Sequence, residues 1–282
     1  MVYIFCAFYG ECSGLIKHYN LKKRQTDKYY RFDVFENENQ PVRIILTGQG
    51  SVMAAAAVSG AASFFGIKAE DAIINVGTCA GDYEPGQVFI CNKITEEATG
   101  RTFYPDMILR SGLPERGLVT VPVVINKPIH EYVNKDSNNM ALYDMEAAAI
   151  YQAANLYVGP HRIGFVKVVS DNGDIEGLTP DFIKKLMAEA VDEIASYVDM
   201  FVTDTHDMCR AEESTQFTNQ LCKDLHCSKV MENQVRQLIK YLSLEGTDYM
   251  TYINRLYDEG RLPAHDKKNG KVCLDEIKRE LL

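Results

Sequence analysis

Short runs of Ile, Val and Phe recur along the first part of the chain, and each one stops at small or polar residues. Val2 to Phe8 gives way to Tyr9-Gly10-Glu11-Cys12-Ser13-Gly14, and Val42 to Leu46 to Thr47-Gly48-Gln49-Gly50-Ser51. Asp71 to Val76 ends in Gly77-Thr78-Cys79-Ala80-Gly81, and His161 to Ser170 in Asp171-Asn172-Gly173-Asp174. Runs this short and this rich in β-branched residues read as strands buried on both faces. Helical patterns lie between them. A short one passes through Leu15, Ile16 and Tyr19, an Ala-rich one spans Val52 to Phe65, and a tightly packed one spans Met145 to Tyr157. A last one runs from Asp181 to about Thr203, with Thr179 as N-cap and Pro180 at the first helical position. The alternation predicts an α/β domain with a mixed central sheet flanked by helices. Tyr29 to Phe35 and Val42 to Leu46, joined by the turn residues Glu36 to Pro41, read as a hairpin. Gln87 to Ile94 and Gly117 to Asn126 read as further strands, separated by an irregular stretch from Glu96 to Pro114.

Past about Asp204 the character changes. Strand-like runs disappear, charge rises, and helical patterns appear at Val230 to Ser243, Asp248 to Tyr257 and Leu274 to Leu282. The division is therefore an α/β domain over 1–204 and a C-terminal helical appendage over 205–282. Cys222 and Cys227, with His206, Cys209 and His226 nearby, raise the question of zinc. Their spacing matches no common finger, and on a continuous helix Cys222 and Cys227 face apart, so no metal site is expected.

The chain has 282 residues, 46% of them apolar, and a net charge of -9. An acidic chain with no long basic cluster is a poor binder of nucleic acid or anionic membranes. No apolar run is long enough to span a bilayer. Because Met1 to Cys12 is apolar from the outset with no leading positive segment, it reads as a first core strand. Eight scattered cysteines, several inside apolar runs, fit reduced thiols in a cytoplasmic protein.

The residues that punctuate the strands are the candidates for chemistry, because in an open α/β sheet the strand ends converge on one crevice. Glu11, Gly48, Gly50, Thr78, Glu146 and Asp171 all stand at such junctions. Glu146 sits at the start of an otherwise apolar helix, where the macrodipole alone would favour a carboxylate. A carboxylate fixed there can also accept two hydrogen bonds from a vicinal diol. The glycines of Thr47 to Ser51 permit close approach of the backbone to an anion or a sugar, but their spacing matches no nucleotide fingerprint. Three carboxylates in one crevice are costly unless they divide binding and proton transfer between them.

Four segments together carry a resemblance: TGQGSVMAAAAVS, IINVGTCAG, YDMEAAAIYQAA and VKVVSDNGD. In this order, over about 1–203, they resemble the nucleoside phosphorylase/nucleosidase superfamily, and within it the 5'-methylthioadenosine/S-adenosylhomocysteine nucleosidases most closely. The resemblance implies that Glu146 accepts the ribose 2'- and 3'-hydroxyls, with Met145 packed beneath the sugar. It implies that Asp171 donates a proton to purine N7 and that Glu11 takes one from the attacking water. Thr78 takes the place of a serine near that water, Lys167 stands where an arginine is usual, and the backbone near Ile125 meets the purine edge. A homo-oligomer, with a dimer as the expected form, is implied too, and Phe103 and Tyr104 would then complete a neighbour's pocket. No cofactor is called for.

The departures are specific. Thr120 to Val124 replaces a Gly-Asp turn and a stacking Phe, and Ala98 to Asp106 is not the usual pattern over the 5' pocket. The expected substrate is therefore a purine nucleoside, with base and 5' substituent left open. The strand Ala72 to Val76 lacks the basic residue that holds phosphate in several phosphorylases, and Glu11 is present, so water is the favoured nucleophile. Lys167 and Arg43 remain candidates for holding phosphate, which keeps a phosphorylase as the alternative. A non-catalytic nucleoside-binding scaffold with a docking tail is the reading from another class.

Overall fold

The computed structural model describes residues 1–129, 141–245 and 247–281, with the side chains of 205–214 and 244 excepted. The contacts divide the chain into two units, Met1–His206 and Asp207–Leu282.

In the first unit the strands are β1 (Val2–Cys6), β2 (Lys22–Lys23), β3 (Asp33–Glu36), β4 (Val42–Leu46) and β5 (Ala72–Ala80). They continue with β6 (Val88–Glu96), β7 (Thr102–Phe103), β8 (Glu115–Thr120), β9 (Leu142–Asp144) and β10 (Ile163–Asp171). They form one mixed sheet in the order β10-β6-β8-β9-β5-β1-β4-β3-β2, with β7 on β6. Strand β10 pairs with β5 as well, so β5, β10, β6, β8 and β9 close on themselves. The parallel block β4-β1-β5-β10 is the part that positions the site, because its C-terminal ends lie side by side. Strand β9 runs antiparallel to β5, pairing Tyr143 with Ala80, and so brings Asp144 to Glu146 to the same end.

The period of a strand explains the layering. On β1, Val2, Ile4 and Cys6 face a core with Leu15 and Ile16 of α1 (Tyr9–His18) and with Leu186, Met187, Ile194 and Val198. Tyr3 and Phe5 face the other core, against Ala54, Ala57, Val58 and Ala61 of α2 (Ser51–Phe65) and Ala147, Ala148 and Ile150 of α3 (Ala147–Ala154). Small side chains on α2 and α3 let these helices pack close to the sheet. The hairpin of β3 and β4 forms as expected, though its first strand begins at Asp33 and not at Tyr29. The strand expected from Gly117 to Asn126 begins earlier, at Glu115, and stops at Thr120, before Pro122.

The helix expected over Asp181 to Thr203 is two helices, α4 (Pro180–Glu189) and α5 (Val191–Asp224). Thr179 caps α4 by accepting the Phe182 N–H at 3.1 Å, with Pro180 at N1. Helix α5 does not stop at the change in composition near Asp204. No Gly or Pro lies between Asp181 and Ser228, so no helix-stopping residue marks the change in composition.

The second unit is helical, with α6 (Lys229–Glu245), α7 (Tyr249–Asp258) and α8 (Lys267–Leu281) after the end of α5. Its core joins Leu221 and Leu225 to Val235, Ile239, Leu242, Ile253, Leu256, Leu274 and Ile277. Helix α5 ends in a Schellman turn with His226 at φ 47°, the His226 N–H on Lys223 O and the Cys227 N–H on Cys222 O, both at 3.0 Å. This corrects the reading of the two thiols as facing apart. Because the helix has ended, the turn folds Cys227 back against the core that holds Cys222. Among the described residues no group of three His, Cys, Asp or Glu could hold a metal, and the side chains of His206 and Cys209 lie outside them. No helix is long and apolar enough to cross a membrane, again among the described residues.

Gly270 on α8 lies so close to the end of α5 that an added Cβ would come within 1.8 Å of Leu225 O. Gly270→Ala should therefore destabilise the helical unit by at least about 1–3 kcal/mol. A calorimetric melt checks this, and an unchanged helical transition would contradict the packing.

Candidate active site

The converging strand ends enclose a cavity of about 470 Å³ in the first unit, lined by Glu11, Thr78, Ile125, Met145, Glu146 and Asp171 among others. Six of the ten residues singled out from the sequence thus meet at one place. The other four do not line the cavity.

Glu11 lies on the first turn of α1 and is 4% exposed. Its Oε2 accepts the Ala7 and Phe8 N–H groups at 2.8 and 3.3 Å, and its Oε1 accepts the Thr78 N–H at 2.7 Å and the Thr78 hydroxyl at 2.9 Å. Helix α1 and strand β5 are therefore clamped together through one carboxylate. Gly77 makes this possible, since a Cβ there would sit 2.9 Å from Glu11 Oε1.

Glu146 is the N-cap residue of α3, one step before the helix in which it was expected. Its side chain does not cap that helix. Its Oε1 instead accepts the Gly50 N–H at 2.6 Å, and Gly50 can present that N–H because it holds φ 94°, a backbone region open mainly to glycine. Burial pushes the Glu146 carboxyl up to about 7; Asp144 and Glu11 add to the rise, and Lys167 and the Gly50 N–H oppose it. Beside it, Met145 lines the cavity, its sulfur 3.2 Å from Gln49 Nε2 and its carbonyl accepting the Ser51 hydroxyl at 2.9 Å.

Asp171 ends β10 just past a register shift between Val169 and Asp171. Such a bulge re-aims side chains at a strand end. Its Oδ2 accepts the Ser170 hydroxyl at 2.7 Å and its Oδ1 the Gly173 N–H at 2.8 Å. Burial raises its pKa above the ordinary value, against the pull of these two donors. The turn after it is packed hard against the segment that bears Ile125. A Cβ on Gly173 would fall 2.1 Å from Lys127 O, and Ile129 N–H bonds Asn172 O at 2.8 Å. Ile125 lines the cavity with Val121 and Val124, as do the apolar residues Ile175, Leu178, Pro180 and Ile183.

Gly48 and Gly50 shape the turn, yet it is Gln49 between them that lines the cavity. Lys167 lies beneath it, 1% exposed, with Nζ 2.8 Å from Asp144 Oδ2. Burial pushes its pKa down, but Asp144, Glu146 and Glu11 together raise it above its ordinary value. Phe103 lies on β7 and stacks on Tyr151 with ring centroids 5.2 Å apart, away from the cavity. Arg43 is also elsewhere, paired with Glu36 at 2.7 Å and lying over the Phe65 ring. Neither cation proposed for phosphate therefore reaches the cavity, and no Lys, Arg or His is among the described residues that line it. An adjoining hollow that shares Ser170, Asp171 and Leu178 is rimmed by Asp82, Glu84, Asp174 and Glu176.

Sequence reasoning missed Asp144, Ser170, Gln49 and most of the apolar lining. Asp144, Ser170 and Gln49 are each next to residues already chosen, so proximity was the available signal. Ile183 carried none, because an apolar residue on an amphipathic helix reads as core.

No protein-family profile matches the chain, and no curated protein matches it. Solved structures do. The 5'-methylthioadenosine/S-adenosylhomocysteine nucleosidase from Neisseria meningitidis, in complex with methylthio-immucillin-A, is 22% identical with a TM-score of 0.57, over 70% of this chain and 97% of that one. The enzyme of the same name from S. pneumoniae, with a transition-state inhibitor, is 20% identical with a TM-score of 0.56, over 70% and 97%. Futalosine hydrolase of Helicobacter pylori strain 26695 is 13% identical with a TM-score of 0.58, over 71% and 97%. The chain shares the fold of these nucleosidases and of this hydrolase, as the motifs implied.

The burial of Glu146 has a consequence for stability. With a folded pKa of about 7 against an ordinary 4.5, the native state holds a proton that the unfolded state has released between those values. Stability contributed here is thus lost as pH rises through that window and stays lost above it. Glu146→Gln should gain up to about 3 kcal/mol over the parent near pH 8 and almost nothing near pH 4. Paired melts across pH read this directly, and a gap that does not change with pH would contradict the assignment.

Proposed function

We propose that this chain, whose α/β unit has the nucleosidase fold, hydrolyses the N-glycosidic bond of a purine nucleoside. One observation carries the reading: Glu11, Glu146 and Asp171, far apart in sequence, line the same cavity. Each then has a separate task.

Cleavage of an N-glycosidic bond passes through a sugar with oxocarbenium character, so anions near the ring stabilise the transition state more than the ground state. Glu146 accepts the two ribose hydroxyls with the oxygen capacity that Gly50 leaves free. Asp171, with its pKa raised by burial, holds a proton for the departing base and lets it leave neutral. Glu11 takes a proton from the incoming water, and the Thr78 hydroxyl, already on Glu11 Oε1, keeps that carboxylate oriented. Water is preferred to phosphate because no described lining residue is basic and the adjoining hollow is acidic, which would repel an anion. Ile125 and its apolar neighbours flank the base without fixing its exocyclic groups. Assembly as a homodimer belongs to the same proposal, and sedimentation of the full chain at the dimer mass is its check.

A panel of purine nucleosides, incubated with and without inorganic phosphate, tests the reaction class. Free base should be released at the same rate in both arms, whereas release only with phosphate would make the chain a phosphorylase. Asp171→Asn should lower kcat by about 10²–10⁴-fold with the melting temperature preserved. Unchanged turnover in that variant would remove Asp171 from the mechanism.

A further inference from the structure

We propose that Lys167 and Asp144 are positioning residues for Glu146: their buried ion pair fixes the backbone around it and sets the charge it experiences. The inference rests on the nucleosidase reading for its functional consequence, but its structural basis is independent of that reading.

Asp144 is the hub. Its Oδ2 accepts Lys167 Nζ at 2.8 Å and the Ala147 N–H at 2.9 Å, and its Oδ1 accepts the Thr120 hydroxyl at 2.7 Å. Thr120 Oγ1 in turn accepts the Ala148 N–H at 2.9 Å. The first two N–H groups of α3 are thus satisfied by Asp144 and Thr120, a task that the Glu146 side chain does not perform. Glu146 is thereby released to face the cavity. The Asp144 carbonyl also accepts the Val121 N–H at 2.8 Å, which anchors the segment leading to Ile125. One residue, through its carboxylate and its carbonyl, therefore supports both α3 and the segment that leads to Ile125.

Lys167 completes the arrangement electrically. It reaches the site from β10, facing Asp144 on β9, Glu146 at the start of α3 and Glu11 on α1. Cys6, Cys79 and Cys91, from β1, β5 and β6, lie within electrostatic reach of the same cation. Glu146 faces Asp144, Lys167, Glu11 and the Gly50 N–H. The two members of the ion pair act on it with opposite sign. Removing Lys167 leaves carboxylates facing one another with no offsetting cation, and removing the charge of Asp144 leaves the cation in excess.

That opposition is the test. The carboxyl 13C resonance of Glu146, assigned by its loss in Glu146→Gln, is followed against pH in the full chain. Lys167→Met should move the Glu146 midpoint up by about one pH unit or more, and Asp144→Asn should move it down. Lys167→Arg should keep the parent's midpoint. In turnover, Lys167→Met should raise KM for the purine nucleoside about tenfold near neutrality with a smaller effect on kcat, and raising the pH should restore it. If Lys167→Met does not fold, Asp144→Asn and Lys167→Arg still carry the comparison. A midpoint that stays put in Asp144→Asn, or moves the same way in Asp144→Asn and Lys167→Met, overturns the proposal. A parent chain that cleaves no nucleoside counts against the proposed function alone, because the NMR titration needs no substrate.

Discussion

Burying a lysine and an aspartate together is an expensive way to hold a protein interior in place. Each ion loses its water, and the attraction between Lys167 and Asp144 offsets that loss only when the remaining donors and acceptors are satisfied. On the aspartate they are: Asp144 also takes Thr120 and Ala147, and the pair lies where β8, β9, β10 and α3 meet. The site depends on this junction. It sets where α3 starts, and therefore where Glu146 sits. It also sets where the chain leaves β8 toward Ile125. An apolar replacement of the pair would leave Glu11 and Glu146 facing each other across the cavity without a nearby cation.

From that junction the division of labour among the carboxylates follows. Glu11 has four donors on its two oxygens and links α1 to β5. Glu146 has one backbone donor and a carboxyl raised by burial. Asp171 has a hydroxyl and a backbone N–H, and burial still raises it. Environment differentiates chemically similar side chains, as the separate tasks proposed for them require.

Much of the α/β unit was legible because strands buried on both faces announce themselves as runs of Ile and Val, and their ends as Gly, Ser, Thr and Asp. Those ends also named Glu11, Thr78 and Asp171, since parallel strands carry their C-terminal ends to one side, while Glu146 was named by the start of its helix. What lay beyond reach was direction and depth. Lys167 is in the strand that ends at Asp171, but sequence does not say that it points beneath the cavity toward Asp144. Phe103, which the resemblance assigns to a neighbour's pocket, stacks on Tyr151 within its own chain. The end of α5 was misread because composition changes near Asp204 while helix-stopping residues do not occur until after Asp224. Cys222 and Cys227 were judged as positions on a helix, although a turn at His226 brings them together.

The central claim is that Glu146 and Asp171 receive the sugar and the base of the same nucleoside. The most direct measurement is a crystal structure of the full chain with a purine C-nucleoside, whose carbon–carbon link to the sugar cannot be hydrolysed. The account expects the ribose hydroxyls on Glu146, the imidazole edge of the base on Asp171, and a water near Glu11. An analogue bound with its sugar away from Glu146, or none bound in this cavity at saturating concentration, would contradict it.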